Sequence, residues 1–394
     1  MTEDVDEIAR AIMIERMYRP VSRRRFLGGL AGGVTLLSLP ALLAACSTTG
    51  AGSPSSLGGT INWMGFQGED GGELAKSWLA ENKLTLASTS ISSSDDIVNK
   101  ITLGQPVDIG SPNNGYIQVL TEAGLLQPID VAKVPNREDL WPVLKDAAWT
   151  KDSSGNVMSV PMIWGDVPYV YNPAKVTTLP KSVLDLADPV WKGKIVWLDD
   201  PYFSINGVAK ALGITDPAKL TPAQLDQVVA AMKPLMQNVL AFSTSYGDST
   251  DYLVRGDAWI EVDGWEAQLN LASEKGVTLA FDFFTDFGGG FCDSYCIPKT
   301  AQNIEGALAF TNFMLSPDTN AKLATALSSA CTNSKAYDKL PPEVQALYKY
   351  ELVKNPDYPI KIANVFPPTE AGEFTSISDW QEAWTKAKLS AGNG

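Results

Sequence analysis

Asp293-Ser294-Tyr295-Cys296-Ile297-Pro298, followed by Asn303-Ile304-Glu305-Gly306-Ala307-Leu308 and then Asn312-Phe313-Met314-Leu315-Ser316-Pro317, carries most of what the sequence says about its fold. Residues 292–297 form a short apolar run that reads as a buried strand. Residues 304–315 then take up a helical pattern. Outward from this unit, short apolar runs and helical patterns keep alternating. Strands are expected at 60–64, 107–110, 160–163, 168–171, 194–198 and 258–262. Helices are expected at 73–82, 95–103 (with Ser94 as N-cap), 218–236, 265–275, 343–353 and 379–389. Such alternation predicts an α/β fold with sheets covered by helices. Two sheets, each too small for all these helices, imply two lobes, with crossings near Gly165, Gly290 and Cys331. Lobe 1 is then residues 60–165 plus 291–331, and lobe 2 residues 166–290 plus 332–394.

The N-terminus reads as an address. Ser22-Arg23-Arg24-Arg25-Phe26-Leu27 opens an apolar, Gly-rich run, 26–45, that ends in Leu43-Ala44-Ala45-Cys46. Twin arginines before a modest apolar run resemble a twin-arginine export signal. The small residues before Cys46 resemble a lipobox, whose cysteine thiol accepts diacylglycerol. An N-terminal membrane anchor is the alternative, since the run is about long enough to span a bilayer. Gly28, Gly29, Gly32, Gly33 and Pro40 weaken it as a permanent helix. The expectation is a signal peptide at 1–45, a flexible linker at 46–59, and export to the outer face of the cytoplasmic membrane, in the periplasm, on a lipid attached to Cys46.

Lys+Arg number 31 against Asp+Glu 45, a net charge of −14, and the chain contains no histidine. The leader holds six basic and five acidic residues, so the acidity belongs to the exported part. That balance disfavours nucleic acid, which demands a basic face, and suits a cationic ligand. Absence of histidine excludes His-based triads and imidazole acid–base catalysis. No motif calls for a metal or cofactor, and none is expected.

Several blocks resemble the periplasmic spermidine/putrescine-binding proteins of ABC importers, within the wider class of extracellular solute-binding proteins. They are Asp108-Ile109-Gly110-Ser111-Pro112 with Glu122-Ala123-Gly124-Leu125-Leu126, Val160-Pro161-Met162-Ile163-Trp164-Gly165, Val190-Trp191-Lys192-Gly193-Lys194, Leu198-Asp199-Asp200, and the opening pair of segments. The resemblance runs from about Thr60 to Ala336. It implies a two-lobed periplasmic-binding-protein fold of class II type, a ligand cleft between lobes that closes about a hinge, and permease and ATPase subunits as partners. A monomer is expected, with the membrane reached only through lipid.

In such a fold the ligand lies where strand ends and first loops converge. Phe66 and Gln67 follow the opening strand, and Asn114 and Tyr116 follow the strand at 107–110. Asp166 sits at the first crossing, beside a Trp164 that reads as hinge packing. Asp199 and Asp200 close a strand and point to opposite faces. By motif position the family's amine-binding aspartate falls on Asp200. The family's glutamate three residues later is replaced by Phe203, which favours a smaller or differently spaced ligand, and Tyr202 and Phe203 offer an aromatic wall instead. Asp263 and Trp265 belong to a loop resembling the family's Trp-polar-Gly loop, and Asp293 lies on the returning strand where the family has Asp-Ser. Any one of these acids alone would read as a solvated charge.

Three cysteines remain beyond Cys46. A Cys296–Cys331 disulfide is expected in an oxidising compartment, against the alternative of three buried thiols. The function expected is a lipid-anchored polyamine receptor without enzymatic activity. A sugar or iron complex as ligand, a carboxylate glycosidase and a surface interaction protein are the rivals.

Overall fold

The computed structural model describes residues 57–91, 94–285, 289–355, 366–369 and 371–391. The leader, Cys46 and most of the linker lie outside them. Eleven strands appear among these residues: β1 (Gly59–Gly65), β2 (Leu84–Ser90), β3 (Ile109–Ser111), β4 (Ser159–Asp166), β5 (Tyr169–Tyr171), β6 (Ile195–Leu198), β7 (Val239–Ser243), β8 (Ile260–Val262), β9 (Ala280–Asp282), β10 (Gly290–Cys296) and β11 (Ala330–Cys331). They form two sheets, ordered β11-β4-β10-β3-β1-β2 and β7-β6-β8-β5-β9. The α/β, two-lobed periplasmic-binding-protein fold is thereby established.

Both sheets have parallel strands interrupted by an antiparallel visitor from the other lobe's side of a crossing, and the first sheet ends in a second antiparallel strand, β11 against β4. β10 enters the first sheet antiparallel to β3 and β4. β5 enters the second antiparallel to β8 and β9. Both visitors follow directly on a crossing: β4 runs into β5 through Val167 and Pro168, and β9 into β10 through residues 283–289. This reciprocal exchange is the class II arrangement, and it puts two crossings side by side. β4 is buried along its whole length, so it reads as an unbroken apolar run.

The third crossing departs from expectation. Residues 332–355 do not pass to the second lobe after Cys331. Ala336, Leu340, Val344, Tyr348, Tyr350 and Val353 pack with Trp164 and Cys292 on the first sheet. The Trp164 indole donates to the Cys331 carbonyl at 2.9 Å, and the Cys331 N–H donates to the Tyr350 hydroxyl at 3.0 Å. These bonds and an apolar face hold the segment where it is. Trp164 is fully buried, set edge-on against Tyr348 and Tyr350. Phe366, the next described residue after Asn355, packs with Tyr202, Trp380 and Trp384 in the second lobe's core. The closing helix, Ile377–Leu389, starts from a Ser376/Asp379 capping box and covers that core.

The expected Cys296–Cys331 disulfide is also corrected: Cys292, Cys296 and Cys331 are buried free thiols. β10 and β11 flank β4 on opposite sides, with Cys296 opposite Ser159 and Cys331 opposite Ile163. Two strand spacings and four residues of stagger separate the sulfurs by on the order of 15 Å, far beyond bridging distance.

Candidate functional site

At the ends of β1, β4 and β8, and along β10, the chain buries acids. Glu69, Asp166, Asp263, Glu266 and Asp293 are each less than a tenth exposed. Among the described residues, no lysine or arginine side chain forms an ion pair with any of them. A carboxylate removed from water without a cation keeps its proton, and their chemistry follows from that.

Glu69 and Asp293 make the first pair, on the first lobe. Glu69 accepts from the Ser111 hydroxyl at 2.5 Å, while Tyr295 donates to the Glu69 carbonyl. Burial, and then the charge of Asp293, lifts Glu69 well above the usual carboxylate range. Burial lifts Asp293 to about 7, with a hydrogen bond from Glu69 opposing it. The contact between them raises Glu69 and lowers Asp293, so Glu69 is the one that holds its proton to higher pH.

Asp166 and Glu266 form the second pair, between the end of β4 and the loop after β8. Asp166 Oδ2 accepts the Lys349 N–H at 3.3 Å, whereas Oδ1 has no partner. Neither carboxylate oxygen of Glu266 has one. Burial pushes Asp166 up to about 7 and Glu266 well above its ordinary value, the Asp166 charge adding to the latter while the Lys349 charge opposes both.

The third group belongs to the second lobe. Asp263 has φ 61°, the left-handed region that aspartate tolerates better than most residues. Its neighbour must be glycine, because a Cβ on Gly264 would stand 2.7 Å from Val170 Cγ2. This turn aims Asp263 Oδ2 at the Trp197 indole (3.0 Å) and the Ser204 hydroxyl (2.8 Å), leaving Oδ1 without a partner. Burial raises Asp263 to about 7, and the charge of Asp200 adds to the rise.

Asp200 and Asp199 divide their work as strand geometry requires. Asp200 Oδ1 caps the helix Pro201–Ala211, accepting the N–H groups of Tyr202 (2.7 Å) and Phe203 (2.9 Å). Asp199 is engaged by Lys388 at 2.6 Å and by the Trp384 indole at 2.6 Å, both from the closing helix. Asp200 therefore stays with the acidic group, and Asp199 anchors the C-terminus.

Aromatic rings complete the surroundings. Trp265 lies 5.4 Å from Tyr246, whose hydroxyl is pushed well up by burial and by the charges of Glu261, Asp200, Asp263 and Glu266. Tyr116, on the helix Asn114–Glu122 of the first lobe, stands edge-on to Tyr202 of the second at 6.1 Å.

Asn114 is buried, and its Oδ1 accepts the Cys292 N–H at 3.2 Å, so it pins its helix to β10. Phe66 packs on the first lobe's core, and Gln67 is half-buried on the same loop. Glu69, Glu266, Tyr246, Tyr348 and Phe366 escaped the sequence reading. A groove of about 770 Å³ lined by Lys175, Leu179, Trp191 and Trp259 opens elsewhere on the second lobe and contains none of these residues. No group of metal-ligating side chains occurs among the described residues, and no helix among them is long and apolar enough to cross a membrane.

Two exchanged-strand lobes with buried acids and aromatic rings at their junction define a two-lobed solute-binding protein. The model of the bacterial extracellular solute-binding proteins matches residues 73–352, and the chain belongs to that family. It is 28% identical over 258 residues to the spermidine/putrescine-binding periplasmic protein of Escherichia coli (strain K12), covering 64% of this chain and 72% of that one. It is 28% identical over 250 residues to the putrescine-binding periplasmic protein SpuD of Pseudomonas aeruginosa, covering 58% and 66%. The substrate-binding protein PotD of Streptococcus pneumoniae, solved with calcium and HEPES, superposes with a TM-score of 0.70 at 21% identity, covering 84% of this chain and 99% of that one. The first two are named as periplasmic binding proteins, and the third as the substrate-binding protein of an ABC transporter.

Proposed function

We propose that this chain is the substrate-binding component of an ABC importer and that its ligand is a small polyamine, held between the lobes and handed to a permease. The observation that carries the reading is the set of buried acids that make no close ion pair among the described residues, with burial outweighing the charge of Lys349 on Asp166 and Glu266. An ammonium group loses hydration in a closed cleft, so it needs carboxylates there, and aromatic faces add about 0.5–2 kcal/mol per contact. Micromolar affinity asks for about −8 kcal/mol, within reach of a diamine of this size. The named relatives, binders of spermidine and putrescine, support the same ligand class. A neutral sugar would leave the acids uncompensated.

The remaining roles rest on sequence. Cys46 carries the lipid, the twin arginines direct export, the protein works as a monomer without catalysis, and the lobes close about the two crossings beside Asp166 and Gly290. Thermal-shift screening against amines, amino acids and sugars tests the ligand class. Stabilisation by diamines is expected, and stabilisation by sugars alone would overturn it.

A further inference from the structure

Phe366 belongs to the second lobe's core and also packs against Tyr116 of the first lobe. Its ring stacks on Tyr202 at 4.0 Å and 17°, and meets Tyr116 edge-on at 4.9 Å. It is 4% exposed. On the first lobe it lies so close to the helix Asn114–Glu122 that a Cβ on Gly115 would come within 2.1 Å of the ring. Only glycine there lets the ring in. The short segment it opens is tied to both lobes. Thr369 donates to Glu122 at 3.2 Å on the first lobe, and the Ile377 N–H donates to the Pro368 carbonyl at 3.0 Å at the start of the closing helix.

Tyr116 and Tyr202 each occupy the first turn of a helix that follows a strand end, β3 in one lobe and β6 in the other. In an open α/β sheet that is where ligands sit. The space between these two rings is filled by the chain itself.

We infer that Phe366 sets the length of ligand the cleft accepts, by occupying the aromatic end of the interlobe space and confining the ligand to the acid pairs. The inference rests on the polyamine reading. A ligand with two ammonium groups close together fits within the acids. One with a longer arm must displace a buried, stacked ring, and is disfavoured.

The test is calorimetry on the full chain with putrescine and spermidine, comparing wild type with Phe366→Ala and Phe366→Leu. The wild-type protein is expected to prefer putrescine by at least tenfold. Phe366→Ala is expected to erase or reverse that preference, with Phe366→Leu between the two. Toluene supplies a readout that needs no amine, since it refills the space a deleted ring leaves. It is expected to raise the melting temperature of Phe366→Ala and leave wild type unmoved. A preference ratio unchanged within twofold in a folded Phe366→Ala protein overturns the inference, as does a melting temperature that toluene fails to raise. Absence of any amine binding to the wild-type protein is a separate result, which overturns the polyamine reading and the ligand-length role with it.

Discussion

Asp200 lends itself to a clean substitution. Asparagine caps helices as well as aspartate does, so Asp200→Asn keeps the two bonds to Tyr202 and Phe203 while removing the charge. Amine affinity is expected to fall at least tenfold with little change in stability. Asp199→Asn is expected to do the reverse: it weakens the Lys388 pair, lowers the melting temperature slightly and leaves affinity alone. Calorimetry and thermal melts on the two variants separate these roles; equal affinities would contradict the assignment. Asp166, Asp263 and Asp293 were legible in the sequence because each lies at or beside an apolar run near a lobe junction. Glu69 and Glu266 were not, since a glutamate in a polar loop reads as solvated. What buries Glu69 comes from 42 and 226 residues away, at Ser111 and Tyr295.

Among the elements, the buried strands β1, β4, β6 and β10 showed as apolar runs, and the unit of strand and helix at 292–315 is found nearly as read. β2 and β7 are edge strands whose exposed faces mix Ser, Thr and Ala with apolar residues, and so carry no clear signal. Residues 332–355 have the apolar spacing of a covering segment, but spacing does not say which sheet is covered. The cysteine pairing failed for a related reason, because strand order, invisible in sequence, put β4 between β10 and β11. Burial pushes the Cys296 thiol up to about 12 and Cys331 to about 11, and a thiol so placed is unreactive. Thiol labelling is expected to find Cys292, Cys296 and Cys331 free and silent until the protein is denatured. A disulfide in non-reducing mass mapping would contradict the strand order.

The whole molecule is two lobes joined by adjacent crossings, an arrangement suited to hinge closure. Saturating ligand is expected to reduce the radius of gyration measured by small-angle scattering while far-ultraviolet circular dichroism stays constant; identical scattering profiles would contradict closure. Cys46→Ala is expected to abolish acylation and membrane partitioning, and normal partitioning of that variant would sink the lipid anchor. The acids also make the molecule pH-sensitive. Asp166, Asp263 and Asp293 titrate near 7 in the folded protein, against about 4 when unfolded. Above about 4 the native state holds protons that the unfolded chain has released, so the empty protein loses stability as pH rises from about 4 to 8. Ligand binding runs the other way. An ammonium ion needs these carboxylates ionised, so below 7 it must first expel their protons.

The most direct measurement is therefore a calorimetric titration with putrescine at pH 6 and pH 8, repeated in buffers of different ionisation enthalpy. Micromolar binding at pH 8, at least tenfold weaker at pH 6 and accompanied by proton release, is the expected result. No binding of putrescine at either pH, or binding with neither pH dependence nor proton release, would contradict the claim that the buried acids between the lobes receive a cation.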